Sequence, residues 1–487
     1  MPDGQEVELK FACGPDDLAA VLAAAPAGDD DTAELVSVYF DTADLDLQKA
    51  GASLRVRESK GRRVQTLKRG DGLAREEHEA PIEGLAPDPK LGPLARLTPD
   101  SARLKPVFNV RVVRRQRRLT YDGAEIELAL DQGEVVAARR SSPICELELE
   151  LKDGAPAALF SLARELSKAA PLYLSFESKA ARGQALVAGE AGAARHSRDV
   201  RLTGQETVAA AFQVIARAAL AQMAANAALL RERPTPEAVH QLRVGTRRLR
   251  SAIATFGEVL TDPELARLKA ELRWLSRACD RIRNLDVYAE ALATAKGDLE
   301  GPGLAALHKA LSTARSRARR EVAAVAGSAR FRALLLDVTG WVEAGAWREG
   351  AEGRAPIGPF ARDALDHRRK TTLKRGRRMD EADDEGLHEL RIAAKKLRYA
   401  GDAFASLYGK KREKAFTGRL KRLQTELGEL NDIATAAPLV ESLPLGADAA
   451  LVAGEQLGER RAKRKTLLRR AAKAFAKLAD AEPFWRG

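Results

Sequence analysis

The sequence predicts an α+β protein in which a sheet-forming first part is followed by an all-helical second part. Three observations carry that expectation. Charged and apolar residues alternate with period two through residues 1–190; from about residue 205 Ala, Leu and Arg recur at three- and four-residue spacing; and the formal charge changes sign between the two parts. Residues 1–200 hold 28 Lys+Arg against 33 Asp+Glu, net −5, whereas 201–487 hold 53 against 36, net +17. The whole-chain +12 therefore averages an acidic region and a strongly basic one, and the basic one implies an anionic partner.

Composition excludes several classes. A chain that is 45% hydrophobic and 31% charged can bury a core and is not disordered. At roughly 150 residues per domain the length of 487 allows about three domains. Cys13, Cys145 and Cys279 are odd in number, widely spaced and outside any CxxC, which argues against a disulfide framework or a zinc site and fits a reducing cytoplasm. No apolar run reaches the ~18 residues needed to cross a bilayer, and no export signal opens the chain, so no membrane partner is expected. Residues 186–204 lose periodicity and gather Gly and Ala, so the expected domains are 1–190 and 204–487 with a linker at 191–203.

The predicted strands include Glu6 to Phe11, Leu54 to Arg57, Thr66 to Lys68, Glu125 to Asp131 and Glu146 to Leu151. Side chains alternate across a strand, so Glu6, Glu8 and Lys10 share one face while Val7, Leu9 and Phe11 share the other. The ionic faces carry blocks of one sign, Glu pairs on some strands and Arg or Lys on others, unlike the mixed polar face of an ordinary wet sheet. A closed barrel with a charged interior accounts for this pattern. In it, carboxylates hold divalent cations and cations cradle phosphate oxygens, the division of labour of metal-assisted phosphoryl transfer. Neither GxGxxG nor a Walker loop is present. The run Arg111 to Arg118 (RVVRRQRR) could be read as a nucleic-acid patch, but it lies inside the ordered strand blocks.

Glu6-Val7-Glu8-Leu9-Lys10 has the ExExK form of the CYTH superfamily, the triphosphate-tunnel proteins that include inorganic and thiamine triphosphatases and a class of adenylate cyclases. The resemblance continues through Tyr39-Phe40-Asp41-Thr42, Leu54 to Arg57, Thr66 to Lys68, Glu125 to Glu134, Pro143 to Leu151 and Ser178 to Gly183, covering about residues 4–190. It implies an eight-stranded antiparallel barrel forming a tunnel for a triphosphate and one or two Mg²⁺ or Mn²⁺ ions. By position, Glu6, Glu8, Glu148 and Glu150 resemble the metal carboxylates, with Glu146 on the same face and ranked lower. Lys10, Arg55, Arg57, Lys68, Arg114 and Lys179 resemble the phosphate clamp, with Arg182 behind them, and Glu127 and Asp131 line the tunnel. The implied reaction is in-line attack by a metal-activated water on a terminal phosphorus. Arg117 stands where close relatives tend to have Trp, and Gln184 where an aromatic is common.

The helical part repeats itself. His240-Gln241-Leu242-Arg243 leading to Arg247-Arg248-Leu249-Arg250 recurs 148 residues later as His388-Glu389-Leu390-Arg391 leading to Lys395-Lys396-Leu397-Arg398. Arg283-Asn284-Leu285-Asp286 and Leu430-Asn431-Asp432 match at an offset of 146. So long a period marks a duplicated multi-helix unit rather than a solenoid. On a helix His240, Arg243, Arg247 and Arg250 form one stripe, and His388, Arg391, Lys395 and Arg398 another, with few acidic residues at i+4 to offset them. Thr235-Pro236-Glu237 reads as a helix start. This half resembles the CHAD domain, a helical module of two related bundles whose histidine and basic residues bind inorganic polyphosphate; the likeness spans about residues 204–485. Neither His has a second ligand at metal spacing.

The expectation is thus a cytoplasmic inorganic triphosphatase with a polyphosphate-binding domain, with association with polyphosphate granules left open. Two other classes stand beside it: another CYTH chemistry (adenylate cyclase, nucleoside or thiamine triphosphatase) and a noncatalytic polyphosphate- or nucleic-acid-binding protein. Aromatics are not interleaved with the basic stripes, so base stacking on nucleic acid has little support.

Overall fold

The computed structural model describes residues 5–70, 74–98, 104–197, 199–294, 301–379 and 382–486. They form two compact units, one of Met1–Arg195 with Ala224–Leu229 and Ser328–Ala344, the other of His196–Met223, Leu230–Gly327 and Gly345–Gly487.

The first unit holds strands β1 (Gln5–Ala12), β2 (Asp29–Asp41), β3 (Ala52–Ser59), β4 (Arg62–Arg69), β5 (Ala74–Pro81), β6 (Lys105–Tyr121), β7 (Ala124–Ala137), β8 (Arg140–Asp153) and β9 (Tyr173–Ser175), with helices α1 (Asp17–Ala24), α2 (Asp46–Lys49), α3 (Leu94–Leu97), α4 (Ala157–Ala169) and α5 (Lys179–Ala188). The antiparallel order β5-β4-β3-β2-β6-β7-β8-β1 closes on itself through β5–β1 pairing, an eight-stranded ring. Nine strands occur among the described residues, one more than expected, because β5 pairs with β1 only over Gln5 to Val7. β9 takes the free edge that remains, pairing with Lys10 to Ala12 and satisfying backbone groups that a bare edge would leave open. Two-residue loops with both residues at positive φ, Lys60-Gly61 and Asp122-Gly123, turn β3 into β4 and β6 into β7 and so fix their registers.

Alternation puts the charges inside. Leu9, Phe11, Leu54, Val56, Leu67, Leu147 and Leu149 face outward and are buried, α4 covering part of β8. Lys10, Asp131, Glu146 and Glu148 face inward and are buried too. At one end the inner face turns apolar: Val110, Val112, Val135 and Ile144 pack with Ala180 and Leu186 of α5. Tyr39 stacks on Phe108 there at 4.6 Å, and a Cβ at Gly183 would meet the Phe108 ring at 2.1 Å, so α5 can lie this close only with glycine at that position. This end of the expected tunnel is packed with side chains.

The remaining helices are α6 (Val208–Glu232), α7 (Pro236–Thr255), α8 (Leu265–Ala293), α9 (Pro302–Gly327), α10 (Ala329–Ala344), α11 (Ala351–Arg354), α12 (Ile357–Gly376), α13 (Asp384–Phe404), α14 (Lys410–Glu441), α15 (Ala447–Ala462) and α16 (Arg464–Ala479). All but α10 and the Ala224–Leu229 stretch of α6 belong to the second unit. The duplication is visible in its caps: Thr235 accepts from Ala238 N–H at the start of α7, and Asp383, 148 residues on, accepts from Gly386 N–H at the start of α13. One sequence reading needs correction. α6 is long and apolar enough by composition to span a bilayer, with mean hydropathy 1.5, although 67% of that window is buried inside the fold. Isolated polar residues such as Gln213 and Arg217 interrupt the run, yet the helix stays apolar on average.

Candidate active site and anion cluster

The barrel site follows from cross-strand rows. Arg114 on β6 faces Asp131 on β7, which faces Glu146 on β8; in the next row Lys10 on β1 faces Glu148 on β8, which faces Ala129 on β7. The small Ala129 leaves Arg114 room to reach Glu148 as well as its own partner. Arg114 Nε and Nη2 donate to both Asp131 oxygens at 2.8 and 2.7 Å, and Nη2 also donates to Glu148 Oε2. Lys10 Nζ lies 2.6 Å from Glu148 Oε1, 3.6 Å from Glu8 and 3.8 Å from Glu146. Lys179, first residue of α5 behind the Ser178 cap, adds a second ammonium 2.8 Å from Glu148 and 2.6 Å from Asp131, and pairs with Glu146.

Burial alone would neutralise these groups, and the network reverses that. Against desolvation, Lys10, Lys179 and Arg114 hold Glu148 well below the usual carboxylate range. Burial likewise opposes charge on Lys179, but Glu146, Glu148 and Asp131 push its pKa up. Asp131, Glu146 and Glu148 each bring an oxygen within 4.8 Å of the others, an arrangement able to hold a metal ion.

A third row holds Glu8, Glu150 and Glu127 directly opposite one another on β1, β8 and β7. Like charges in this arrangement repel. Lys152 relieves them, 2.6 Å from Glu150 and 3.9 Å from Glu127, with Arg118 at 3.7 Å from Glu127. On the β2–β3–β4 wall Arg55 faces Tyr39 and Arg57 faces Ser37, whose Oγ accepts from Arg57 Nε at 3.4 Å. Burial first, then the neighbouring Arg55 and Arg114, pushes Arg57 down to about 10. It is a cation crowded by cations, as an anion site requires.

Of the sequence-selected residues, Lys10, Arg114, Asp131, Glu148 and Lys179 converge directly, and Glu146, ranked lower, sits at their centre. Glu8, Glu127 and Glu150 form the separate row. The side chain of Glu6 lies outside the described residues. Arg182 donates to Pro143 O at 2.9 Å and stands 3.8 Å from both Glu146 and Glu177, at the rim of the cluster. Lys68 pairs with Glu77 at 3.0 Å and Arg55 approaches Glu79 at 3.9 Å. Sequence reasoning missed both glutamates, though Arg75-Glu76-Glu77-His78-Glu79 shows the same alternation. Arg117 points away from the lumen: it donates to the carbonyls of Leu22, Ala25 and Pro26 at the end of α1 and pairs with Asp30.

In the second unit the two stripes meet, because α7 packs on α13. Arg247 and Arg398 both lie over the Tyr399 ring, at 5.3 and 5.1 Å. Lys395 is the centre: burial first, then Arg391, Arg247, Arg243 and Arg398, pushes its pKa down to about 6. Arg243 has one carboxylate, Asp280, at 3.1 Å. At the edges Arg250 donates to Ser276 and Arg398 to Gln424, and His388 Nδ1 meets Asn431 Oδ1 at 2.9 Å. Burial, assisted by Arg283, Arg247 and Arg243, lowers His240 against Glu237. Arg283 was visible in the repeat but not chosen as a site residue; Tyr399 gave no sequence signal.

Comparison with known proteins places these two sites in named domains. The CYTH domain family matches residues 4–184 and the CHAD domain family residues 214–441. An inorganic triphosphatase of Haemophilus influenzae is 32% identical over 193 residues, 37% of this chain and 55% of that protein, so the chain spans about half the length of this curated relative. The crystal structure of the CHAD domain from the plant Ricinus communis is similar with TM-score 0.53 and 29% identity, covering 58% of this chain and 96% of that one. PptA from Streptomyces chartreusis is a looser likeness, TM-score 0.40 and 20% identity over 56% of this chain and all of that one.

Proposed function

The chain carries an N-terminal CYTH domain followed by a CHAD domain, and on that premise we propose that the barrel hydrolyses inorganic triphosphate to diphosphate and phosphate with Mg²⁺ or Mn²⁺ while the helical unit binds inorganic polyphosphate. The observation that carries the first half is the wall of Arg55, Arg57 and Arg114 facing carboxylates that can hold a metal. The donor set fits a hard cation: Asp131, Glu146 and Glu148 cluster within 4.8 Å, and the Glu8–Glu150–Glu127 row offers a second group of carboxylates. A bound divalent cation supplies Lewis-acid polarisation of phosphoryl oxygen and a water acidified for attack.

The protein's own groups do the rest. Lys10, Lys179 and Arg114 neutralise the carboxylates in the free protein and turn to phosphate oxygens when substrate enters. Arg55, Arg57 and Lys68 bind the remaining charge, and the planar guanidinium forks orient nonbridging oxygens for in-line displacement. Removal of bulk water by the barrel strengthens each of these interactions in the transition state. In the helical unit His240, Arg243, Arg247, Arg250, His388, Arg391, Lys395 and Arg398 contact the longer anion, and the unneutralised crowding around Lys395 supports that reading. We place both activities in the cytoplasm.

Phosphate release from triphosphate, ATP, thiamine triphosphate and long polyphosphate, with Mg²⁺, with Mn²⁺ and in excess EDTA, tests the barrel assignment. Triphosphate is expected to be the preferred substrate and EDTA to stop turnover. Undiminished turnover in EDTA, or cyclic AMP as the main product from ATP, would reject it.

A further inference from the structure

Cys13 and Cys145 are 132 residues apart in sequence, and the barrel sets them side by side. In the β1–β8 register Ala12 faces Glu146, so the next pair is Cys13 opposite Cys145, and the Cys13 N–H donates to Cys145 O at 3.2 Å. Their sulfur atoms are 4.0 Å apart. Alternation puts both on the outer face with Phe11 and Leu147, away from the lumen, and both are half-buried. Directly opposed residues in a hydrogen-bonded antiparallel pair have Cα atoms ~5.5 Å apart, inside the ~4.4–6.8 Å range of disulfides. Closing the bond brings the sulfurs ~2 Å nearer, to the ~2.05 Å of a disulfide. Cys279, buried in α8, has no cysteine beside it among the described residues.

We propose that Cys13 and Cys145 form a reversible dithiol–disulfide couple that staples β1 to β8 when oxidised by a small-molecule disulfide. Either sulfur can lead; when Cys145 does, its thiolate is the first nucleophile. That thiolate attacks one sulfur of R–S–S–R, forming a mixed disulfide and releasing RS⁻. The Cys13 thiolate then attacks the Cys145 sulfur, forming the protein disulfide and releasing the second RS⁻. The two thiol protons end on the two RS⁻ groups, and the two electrons reduce R–S–S–R. Exchange proceeds through thiolates, so the couple closes faster as pH rises.

The staple closes a loop that spans nearly the whole barrel and joins the strands carrying Lys10, Glu146 and Glu148. Its consequence is mechanical: unfolding of the barrel and local opening of β1 from β8 both become harder. The inference stands on strand register alone and is independent of the reaction in the lumen.

The test treats the full-length protein with oxidised glutathione over a pH series, then maps peptides without reduction and follows melting and hydrogen exchange. A Cys13–Cys145 cross-linked peptide is expected, with Cys279 still a free thiol, slower exchange in β1 and β8, and a Tm higher by roughly 5–10 °C. Dithiothreitol should reverse all of it. Cys13→Ser and Cys145→Ser should each lose the cross-link and the shift, while Cys279→Ala keeps both. A mixed disulfide that persists at either cysteine without cross-linking, an intermolecular disulfide, or a cross-link with unchanged Tm and exchange would overturn the proposal.

Discussion

The barrel and the helical unit both collect cations, and they treat them in opposite ways. In the barrel Lys10, Lys179 and Arg114 are each within hydrogen-bond distance of Glu148, with Asp131 and Glu146 completing a nearly neutral set. In the helical unit Lys395 is surrounded by Arg391, Arg247, Arg243 and Arg398 and is pushed down to about 6 after burial. A matched network is stable empty and binds by exchanging partners, which suits a site that must bind a metal and an anion and then release products. An unmatched cluster is strained when empty and relieved by any polyanion, which suits binding. Each arrangement can be broken while the other is spared.

The largest effect is expected from Glu148→Gln. Glu148 is shared by Lys10, Lys179 and Arg114, so its loss leaves three buried cations with only Asp131, Glu146 and the more distant Glu8 to balance them, and removes the closest partner of Lys10. Breaking a buried ion pair on one side costs about 3–5 kcal/mol, and removing a metal-site carboxylate should lower kcat by at least ~10²-fold. Calorimetry should show a lowered Tm that inorganic triphosphate partly restores, while polyphosphate binding stays at the parent value. Parent turnover in this variant would remove Glu148 from the site. The pH dependence has the same origin: a carboxylate held below its ordinary 4.5 stabilises fully above that value and loses its contribution as pH falls through the lower folded-state pKa.

Next in size is the fourfold change of Arg243, Arg247, Arg391 and Lys395 to Ala. Polyphosphate binding should disappear in a titration, hydrolysis in the barrel should stay near normal, and the empty unit should melt higher because mutual repulsion is gone. In the parent, binding should weaken steeply with salt as neutralised phosphates release counterions. Equal affinity of parent and variant would refute the cluster assignment. Tighter binding of single-stranded RNA than of polyphosphate at matched salt would favour the nucleic-acid reading instead.

These contrasts also mark what the sequence could disclose. Period-two strands and the duplicated stripes are local patterns, and Leu54 to Arg57 or Thr235-Pro236 state their structure within a few residues. Partnership is not local. Glu146 looked peripheral because nothing in its own strand reveals that Asp131 and Lys179 will stand beside it. Cys13 and Cys145 looked unrelated because their closeness depends on register. Helix α10, with Asp337 bonded to Arg164 at 3.0 Å and Gly340 set against the Phe160 ring, joins the barrel unit although its chain neighbours are helices of the other. Arg117 looked like a change in the tunnel edge and is a helix cap, because it stands three residues from Arg114, an odd step that strand alternation sends to the outer face, opposite the outward Leu128.

A smaller effect tests the strain in the helical cluster. Lys395 titrates near 6 in the free protein, so it is charged below that value and neutral above it. A bound polyanion favours the charged form and raises its pKa. Binding is therefore tightest below about pH 6 and weakens as pH rises toward the bound-state pKa, by at most ~10-fold per pH unit for one linked proton. Calorimetric titrations in buffers of different ionisation enthalpy should show net proton uptake near pH 7. Lys395→Met should bind more weakly at pH 5 and lose the Lys395 share of the slope and the uptake, leaving the part contributed by His240, which burial and the same arginines also lower. A parent affinity independent of pH between 5 and 8 would show that Lys395 is already charged.

The smallest expected effect separates the lumen from its surroundings. Arg117 carries charge beside the barrel yet spends it on three carbonyls at the C-terminus of α1 and on the exposed Asp30. A basic side chain capping the last carbonyls of a helix adds a modest stabilisation, and an exposed ion pair adds little. Arg117→Ala should lower Tm by only about 2–4 °C. Its kcat and KM for triphosphate should match the parent, in contrast to Arg57→Ala, where loss of a lumen cation raises KM and lowers kcat together. If Arg117→Ala loses turnover to the same degree as Arg57→Ala, then charge outside the lumen governs the reaction and the division between matched interior and structural exterior fails.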